Sequence, residues 1–175
     1  MTHLEIPRLE TDRLVLRAYE PADHPRLAAY FQDAGSHFTG GPRTAIDSWT
    51  NMAAACGSWV LRGFGMWAIA DKTDNRYLGR AGGHCPVDWP EPEIGYWLHP
   101  DARGQGLAFE AVQRARQWLY GVKGWTTAVS YVDPQNTASK RLAERLGAVL
   151  EDEIVLRETP ALVYRHPSRI EGVTA

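Results

Sequence analysis

The chain lacks the patterns that mark several large protein classes. Its two cysteines, Cys56 and Cys85, are far apart with no C-x-x-C spacing, so neither a zinc ribbon nor a disulfide framework is expected. Reduced thiols in a cytoplasmic protein are the expectation instead. Six histidines, at positions 3, 24, 37, 84, 99 and 166, form no H-x-x-x-H pair, and no metal site is expected. G-x-x-x-x-G-K-[ST] and G-x-S-x-G are both missing, which removes the nucleoside-triphosphate loop and the hydrolase elbow. No apolar run approaches ~18 residues, so no membrane span is expected, and the opening MTHLEIPRLE carries no signal-peptide core. A net charge of −2 speaks against a general nucleic-acid binder, which needs a basic surface. No repeat, low-complexity tract or linker interrupts the 175 residues, so one domain spanning 1–175 is expected.

What is present is apolar material. With 44% hydrophobic residues and seven tryptophans, the chain can bury a sizeable core. Alternation predicts a strand over Arg13–Arg17. Leu27, Ala28, Tyr30 and Phe31 predict a helix over Pro21–Gln32, and Ile46, Trp49, Ala53 and Val60 predict one over Thr44–Leu61. Gly35–Pro42 reads as a loop. Gly65–Ala70 and Tyr77–Gly83 read as strands about the turn Asp71–Asn75, and the proline-rich loop Cys85–Pro92 leads into a strand over Glu93–Leu98. A helix, a strand over Trp125–Val132, a second helix and two strands follow, the last over Ala161–Arg165. This order predicts an α/β (α+β) fold, a mixed twisted sheet with helices on both faces.

The most informative stretch is Glu93 to Ala111, EIGYWLHPDARGQGLAFEA. A strand feeding a glycine-containing turn at a helix start aims backbone N–H groups and the positive helix end at one spot, which suits a pyrophosphate. A Cβ at Gly104 or Gly106 would hold phosphates away from those amides. A dinucleotide loop needs G-x-G-x-x-G/A directly after its strand. Here Phe109 stands at the third small position, and His99 to Arg103 separate the strand from Gly104.

What stands here is R-x-x-G-x-A, Arg103 through Gly106 to Ala108, which resembles the acyl-CoA pyrophosphate loop of the GNAT N-acetyltransferase superfamily. Three further segments carry the resemblance. Leu9-Glu10-Thr11-Asp12-Arg13-Leu14-Val15-Leu16-Arg17 is similar to the opening strand of the RimJ/RimL branch, the ribosomal-protein N-terminal acetyltransferases and their relatives. Asn136 to Ser139, running on to Arg145-Leu146-Gly147, matches the N-x-x-S helix with its K/R-x-G turn, and Ala161–Arg165 the closing strand. The resemblance spans about Leu9 to His166 with the motifs in order.

It implies a mostly antiparallel sheet of about seven strands, splayed between its central strands at the acyl-CoA site. It also implies acetyl transfer from acetyl-CoA to a primary amine in a ternary complex, without a metal or a covalent intermediate. On that basis the amides of Arg103, Gly104, Gln105, Gly106, Leu107 and Ala108 take the pyrophosphate. The backbone of Trp97 and Leu98 pairs with the pantetheine like an added strand. Asn136 bonds the pantetheine from the other side, or serves only as a helix cap. Lys140 or Arg141 meets the nucleotide phosphates, or these residues, with Arg145, form a solvated helix face.

The chemistry asks for a neutral amine, a donor to the oxyanion and a proton for the leaving thiolate. An α-amine, pKa about 8, asks less of a base than a lysine near 10.4. A strand amide near Leu98 would meet the oxyanion. Many superfamily members place a tyrosine seven residues after the asparagine, where this chain has Ala143, so Ser139 is the nearest hydroxyl and orients or relays to the sulfur. The base candidates are Glu93, Tyr96, His84, Asp88 and Glu91. Asp88, Glu91 and Glu93 would also form an acidic group attracting a cationic amine, beside Trp89. The acceptor, a protein N-terminus, polyamine, amino acid or amine antibiotic, is left open, since acceptor loops (here 32–43 and 85–92) vary on a shared scaffold. The alternative is a non-catalytic acyl-CoA-binding module. Exposed tryptophans at a sheet end would suit a homodimer.

Overall fold

The computed structural model describes residues 5–168. Its strands are β1 (Leu9–Glu10), β2 (Leu14–Arg17), β3 (Met66–Asp71), β4 (Tyr77–His84), β5 (Glu93–Leu98), β6 (Val129–Val132), β7 (Val149–Leu156) and β8 (Thr159–Arg165). They form one sheet in the order β1-β2-β3-β4-β5-β6-β8-β7, antiparallel throughout except between β5 and β6. The two-residue β1 takes the count to eight, one above the expected seven. The helices are α1 (His24–Gln32), α2 (Ala45–Arg62), α3 (Leu107–Gly121) and α4 (Thr137–Arg145). No helix among the described residues is long and apolar enough to cross a membrane.

Strand alternation sorts the core into two faces. Trp67 and Ile69 of β3 and Ile94 and Leu98 of β5 pack with Ala111, Val112, Ala115 and Leu119 of α3. Ala68 and Trp97 turn the other way, onto Leu27, Tyr30, Phe31 and Met52 of α1 and α2. Thr44 caps α2 by accepting the Asp47 N–H at 3.1 Å, and Gly63 ends the helix at φ +67°.

Three boundaries differ from expectation. Pro21–Asp23 is a 3-10 turn, and the α-helix begins at His24, because Asp23 is drawn bidentately onto the Arg17 guanidinium at 2.8 and 2.9 Å. Ala34–Thr39, read as loop, is a 3-10 turn opened by Asp33, whose carboxylate accepts the Gly35 N–H at 2.9 Å. The strand expected from Trp125 pairs only from Val129. Trp125 instead donates its N–H to Leu119 at 3.0 Å and packs edge-on against Phe64, closing off the end of α3.

Most of the tryptophans are withdrawn from the surface. Trp59 and Trp67 are buried, and with Trp118 they form a trio at 4.6, 5.2 and 5.5 Å between ring centroids. Of the seven, only Trp49 is exposed. Both cysteines are free thiols, with burial pushing Cys56 up.

The feature that positions the site is the junction of β5 and β6. These strands pair at Glu93↔Val129 and then diverge. A buried relay holds the point of divergence. Arg116 donates to His166 Nδ1 at 3.2 Å, which leaves Nε2–H to donate to Ser130 Oγ at 2.9 Å, and Ser130 donates to the Ile94 carbonyl at 2.7 Å. Burial, with the Arg116 charge alongside, pushes the His166 pKa down to about 3, so the ring stays neutral as the relay requires.

Candidate active site

Past the junction, β5 has a strand partner on one side only. The His99 N–H donates to the Leu78 carbonyl at 2.7 Å, so the alternation of an antiparallel ladder sends the main-chain groups of Trp97 to β4 and those of Tyr96 and Leu98 into the opening. The Leu98 carbonyl accepts Arg103 Nε at 3.0 Å. Of the pair expected to meet an extended ligand through the backbone, Leu98 turns its main-chain groups to the opening and Trp97 turns its own to β4. Trp97 contributes its indole, stacked on Tyr30 at 3.6 Å.

The turn after β5 delivers α3 with a bare N-terminus. Gly106 is the N-cap and supplies no side-chain cap, and the N–H groups of Gly104 through Phe109 find no intramolecular acceptor among the described residues. Gly104 and Gly106 sit at φ +75° and +78°, a region side chains resist, and a Cβ on Gly104 would meet nothing within 4 Å. The amides therefore line an open concavity at the positive end of a helix dipole. The opening motif braces it. Glu110 accepts from Thr11 Oγ1 at 2.5 Å and from Arg13 N–H and Nε at 2.9 and 2.8 Å, while Arg13 also donates to the Gln105 carbonyl at 3.0 Å.

A cavity of about 400 Å³ runs from this cradle along Leu107, Ala108 and Leu142 to Trp97 and Ser139. Arg103 and Arg145 are its cations, Arg145 lying over the Phe109 ring at 5.0 Å. Lys140 and Arg141 stand outside its wall. Lys140 is turned away, donating to the Pro134 carbonyl at 2.8 Å. Gln105 also lies outside, its amide donating to the Asp101 carbonyl at 3.2 Å.

Asn136 caps α4, accepting the Ser139 N–H on Oδ1 at 3.1 Å, and its Nδ2 donors remain available to the cavity. Ser139 Oγ lies 2.9 Å from Tyr96 Oη, which also donates to the Ser139 carbonyl at 3.2 Å. Burial raises the Tyr96 pKa to about 12, so this hydroxyl holds its proton at neutral pH. Ala143 is fully buried beside Val132, Ala148 and Tyr164, so α4 has no second hydroxyl there and β5 provides one instead.

A second cavity, about 510 Å³, meets the first at Phe38, Thr39, Tyr96, Trp97, Asn136 and Ser139. Glu93 lies in its wall. The residue keeps some surface open to the cavity, yet its carboxyl is enclosed, and desolvation raises the pKa to about 7 despite the bond from Trp89 Nε1 at 2.9 Å. His84, paired opposite Glu93 across the ladder, is pushed down to about 4 by burial and nearby arginines. Burial thus tunes Glu93 near neutrality.

The expected acidic group does not assemble. Asp88 is exposed, and Glu91 is held bidentately by Arg165 at 2.6 and 2.9 Å; neither lines the cavity. The wall carries Arg43, Arg80 and Arg157 instead. The two-residue turn between β7 and β8 puts Arg157 at φ +45° and projects it over the Trp89 ring at 4.9 Å. Nothing in the sequence pattern marks these arginines, which come from a loop, a strand and a hairpin tip. Among the described residues, no group of His, Cys, Asp and Glu is placed to hold a metal ion.

Comparison with known proteins gives the family and the fold. A family model described as an acetyltransferase (GNAT) domain matches residues 13–149. An acetyltransferase structure from Agrobacterium tumefaciens superposes with a TM-score of 0.84 at 33% identity, covering 95% of this chain and 98% of that one. A Bacillus subtilis protein named as an uncharacterized N-acetyltransferase, YoaA, is 27% identical over 156 residues, 87% of each chain. The fold is shared with RimL, a ribosomal L7/L12 alpha-N-protein acetyltransferase solved in complex with coenzyme A, with a TM-score of 0.75 at 19% identity over 91% of this chain and 97% of that one. The chain belongs to the GNAT family of acetyltransferases, whose general reaction is acetyl transfer from acetyl-CoA.

Proposed function

We propose that this protein is a cytoplasmic enzyme that moves an acetyl group from acetyl-CoA to a primary amine by direct transfer in a ternary complex. The observation that carries the reading is the meeting of two cavities at Tyr96 and Ser139, one ending in a cradle of unpaired amides and the other holding Glu93. The first cavity suits an acyl-CoA. The amides from Gly104 to Phe109, with Arg103 and Arg145, match a pyrophosphate, while Tyr96, Leu98 and Asn136 match an amide-bearing arm. When bound, acetyl-CoA supplies an activated thioester.

The remaining work falls to residues of the chain. Glu93, with a pKa of about 7, takes the proton of an incoming ammonium, directly or through one water, and suits an α-amine best. The Leu98 N–H, facing the opening, serves as the donor for developing negative charge. Tyr96 Oη, kept protonated and bonded to Ser139 Oγ, holds the proton for the departing sulfur.

Calorimetric titration with acetyl-CoA, with NAD and ATP as controls, tests the first half. Amine-dependent thiol release in wild type and Glu93→Gln tests the second. Selective acetyl-CoA binding with turnover lost in the variant is the expected result. Binding without turnover on any amine would identify a non-catalytic acyl-CoA module, and no binding would overturn the reading altogether.

A further inference from the structure

We infer that the acceptor amine also carries an anionic group, a carboxylate or phosphonate, that is read by Arg43 and Arg80 in the wall of the second cavity. The inference rests on the acetyl-transfer reading of that site. Among the described residues, the three arginines that line this cavity, Arg43, Arg80 and Arg157, form no ion pair. Against these three cations the cavity sets only Glu93 and Asp133.

Two of the three are fixed in place without being neutralised. Arg80 donates to Asn51 Oδ1 at 2.8 Å and lies over the Trp97 ring at 5.8 Å. Arg43 lies over the Phe31 ring at 5.1 Å, and Phe31 and Trp97 touch edge to face at 6.0 Å, so both guanidinium groups rest on one aromatic wall. The Nε of each is buried with no hydrogen-bond partner. A guanidinium does not shed its charge, and these two are half-buried in the cavity wall with no carboxylate partner, so their outer N–H groups are matched by an anion that enters with the ligand. A polyamine would bring further positive charge against the same wall, at a cost.

Position on the ladder sets the polarity of binding. Arg80 pairs with Trp97 and His84 with Glu93, so Arg80 and Glu93 share one face at opposite ends of the paired segment. The amine belongs at the Glu93 end and the anion at the Arg80 end, joined by a short spacer.

The test is calorimetry, on the protein alone and with coenzyme A, using ω-amino carboxylates from glycine to 6-aminohexanoate, L-aspartate and L-glutamate. The matched carboxamides, the matched diamines and 2-aminoethylphosphonate complete the panel. At least one anionic amine is expected to bind about tenfold tighter than its carboxamide, the worth of one charge-assisted bond. Arg80→Gln and Arg43→Gln are each expected to remove that preference while leaving acetyl-CoA affinity unchanged. β-Alanine against 2-aminoethylphosphonate separates carboxylate from phosphonate. Carboxamides or diamines binding as well as the anions, no anionic amine binding at all, or a preference untouched by both variants would overturn the inference. Loss of acetyl-CoA binding alone would defeat the parent reading and leave these titrations of the free protein still decisive.

Discussion

The two cavities are built from different materials. The one at the start of α3 ends in main chain, with unpaired amides, two glycines in left-handed conformation and the unpaired edge of β5, and side chains such as Leu107, Leu142 and Arg145 complete its wall. The one beyond Tyr96 is walled by side chains drawn from the loop before α2, from β4, β5 and the tip of the last hairpin. On the proposed reading, the backbone end recognises what all acyl-CoA molecules share. Side-chain walls can change residue by residue without disturbing the sheet, which is where acceptor choice belongs.

Substitutions on either side sharpen that contrast. Glu93→Gln should lower kcat/KM by about 10²–10⁴ and abolish the rise in rate as pH climbs through about 7, with acetyl-CoA affinity unchanged. A variant that keeps that limb would put the base elsewhere. Gly106→Val should have the complementary signature. It forces a β-branched residue to φ +78° and crowds the amides, weakening acetyl-CoA binding about 100-fold or more in calorimetry while the melting transition persists. Unaltered affinity would remove the pyrophosphate assignment.

The buried relay at the β5–β6 junction gives a smaller effect, read in stability. His166 is held below its ordinary pKa, so its contribution is present above about pH 6.5 and is lost as pH falls toward 3. Glu93 is held above its ordinary value and has the opposite sign, gaining stability for the fold as pH falls through about 7. The two are separated by comparing wild type with His166→Asn. Between pH 7 and 5 wild type should lose roughly 2 kcal/mol more than the variant in denaturant titrations, and parallel curves would mean that His166 is not held neutral.

The smallest effect is expected where the cavities touch. Ser139→Ala should lower kcat by about tenfold, the worth of one hydrogen bond, with acetyl-CoA affinity nearly constant. An unaltered rate would clear Ser139 of a part in the chemistry.

The same division explains what could be read along the chain. The cradle is contiguous: Arg103, Gly104 and Gly106 precede a periodic helix, and local rules suffice to see a phosphate-seeking turn. The opening Leu9–Arg17 segment was recognisable as a motif, but its purpose was not. Thr11 and Arg13 reach Glu110 across 99 and 97 positions of chain. That the Trp97 peptide groups face β4 was not legible, because the side of a strand a peptide group faces depends on which neighbour pairs with it. Lys140 and Arg145 lie on one helix, and only the packing of α4 against the α3 turn distinguishes the one in the cavity from the one tied to Pro134.

Periodicity, turn residues and glycine placement, which act over a few positions, were enough to settle the fold class and its central segment. The charge of the second cavity was settled by long-range packing. The acidic residues that stand together in the sequence, Asp88, Glu91 and Glu93, were dispersed, one to solvent, one to Arg165 and one to an enclosed wall. Arg43, Arg80 and Arg157, far apart in the sequence, were brought to one surface. Burial then shifted Glu93 to about 7 and Tyr96 to about 12, because a pKa depends on the solvent and charges around a group, and those exist only once the sheet has closed over it.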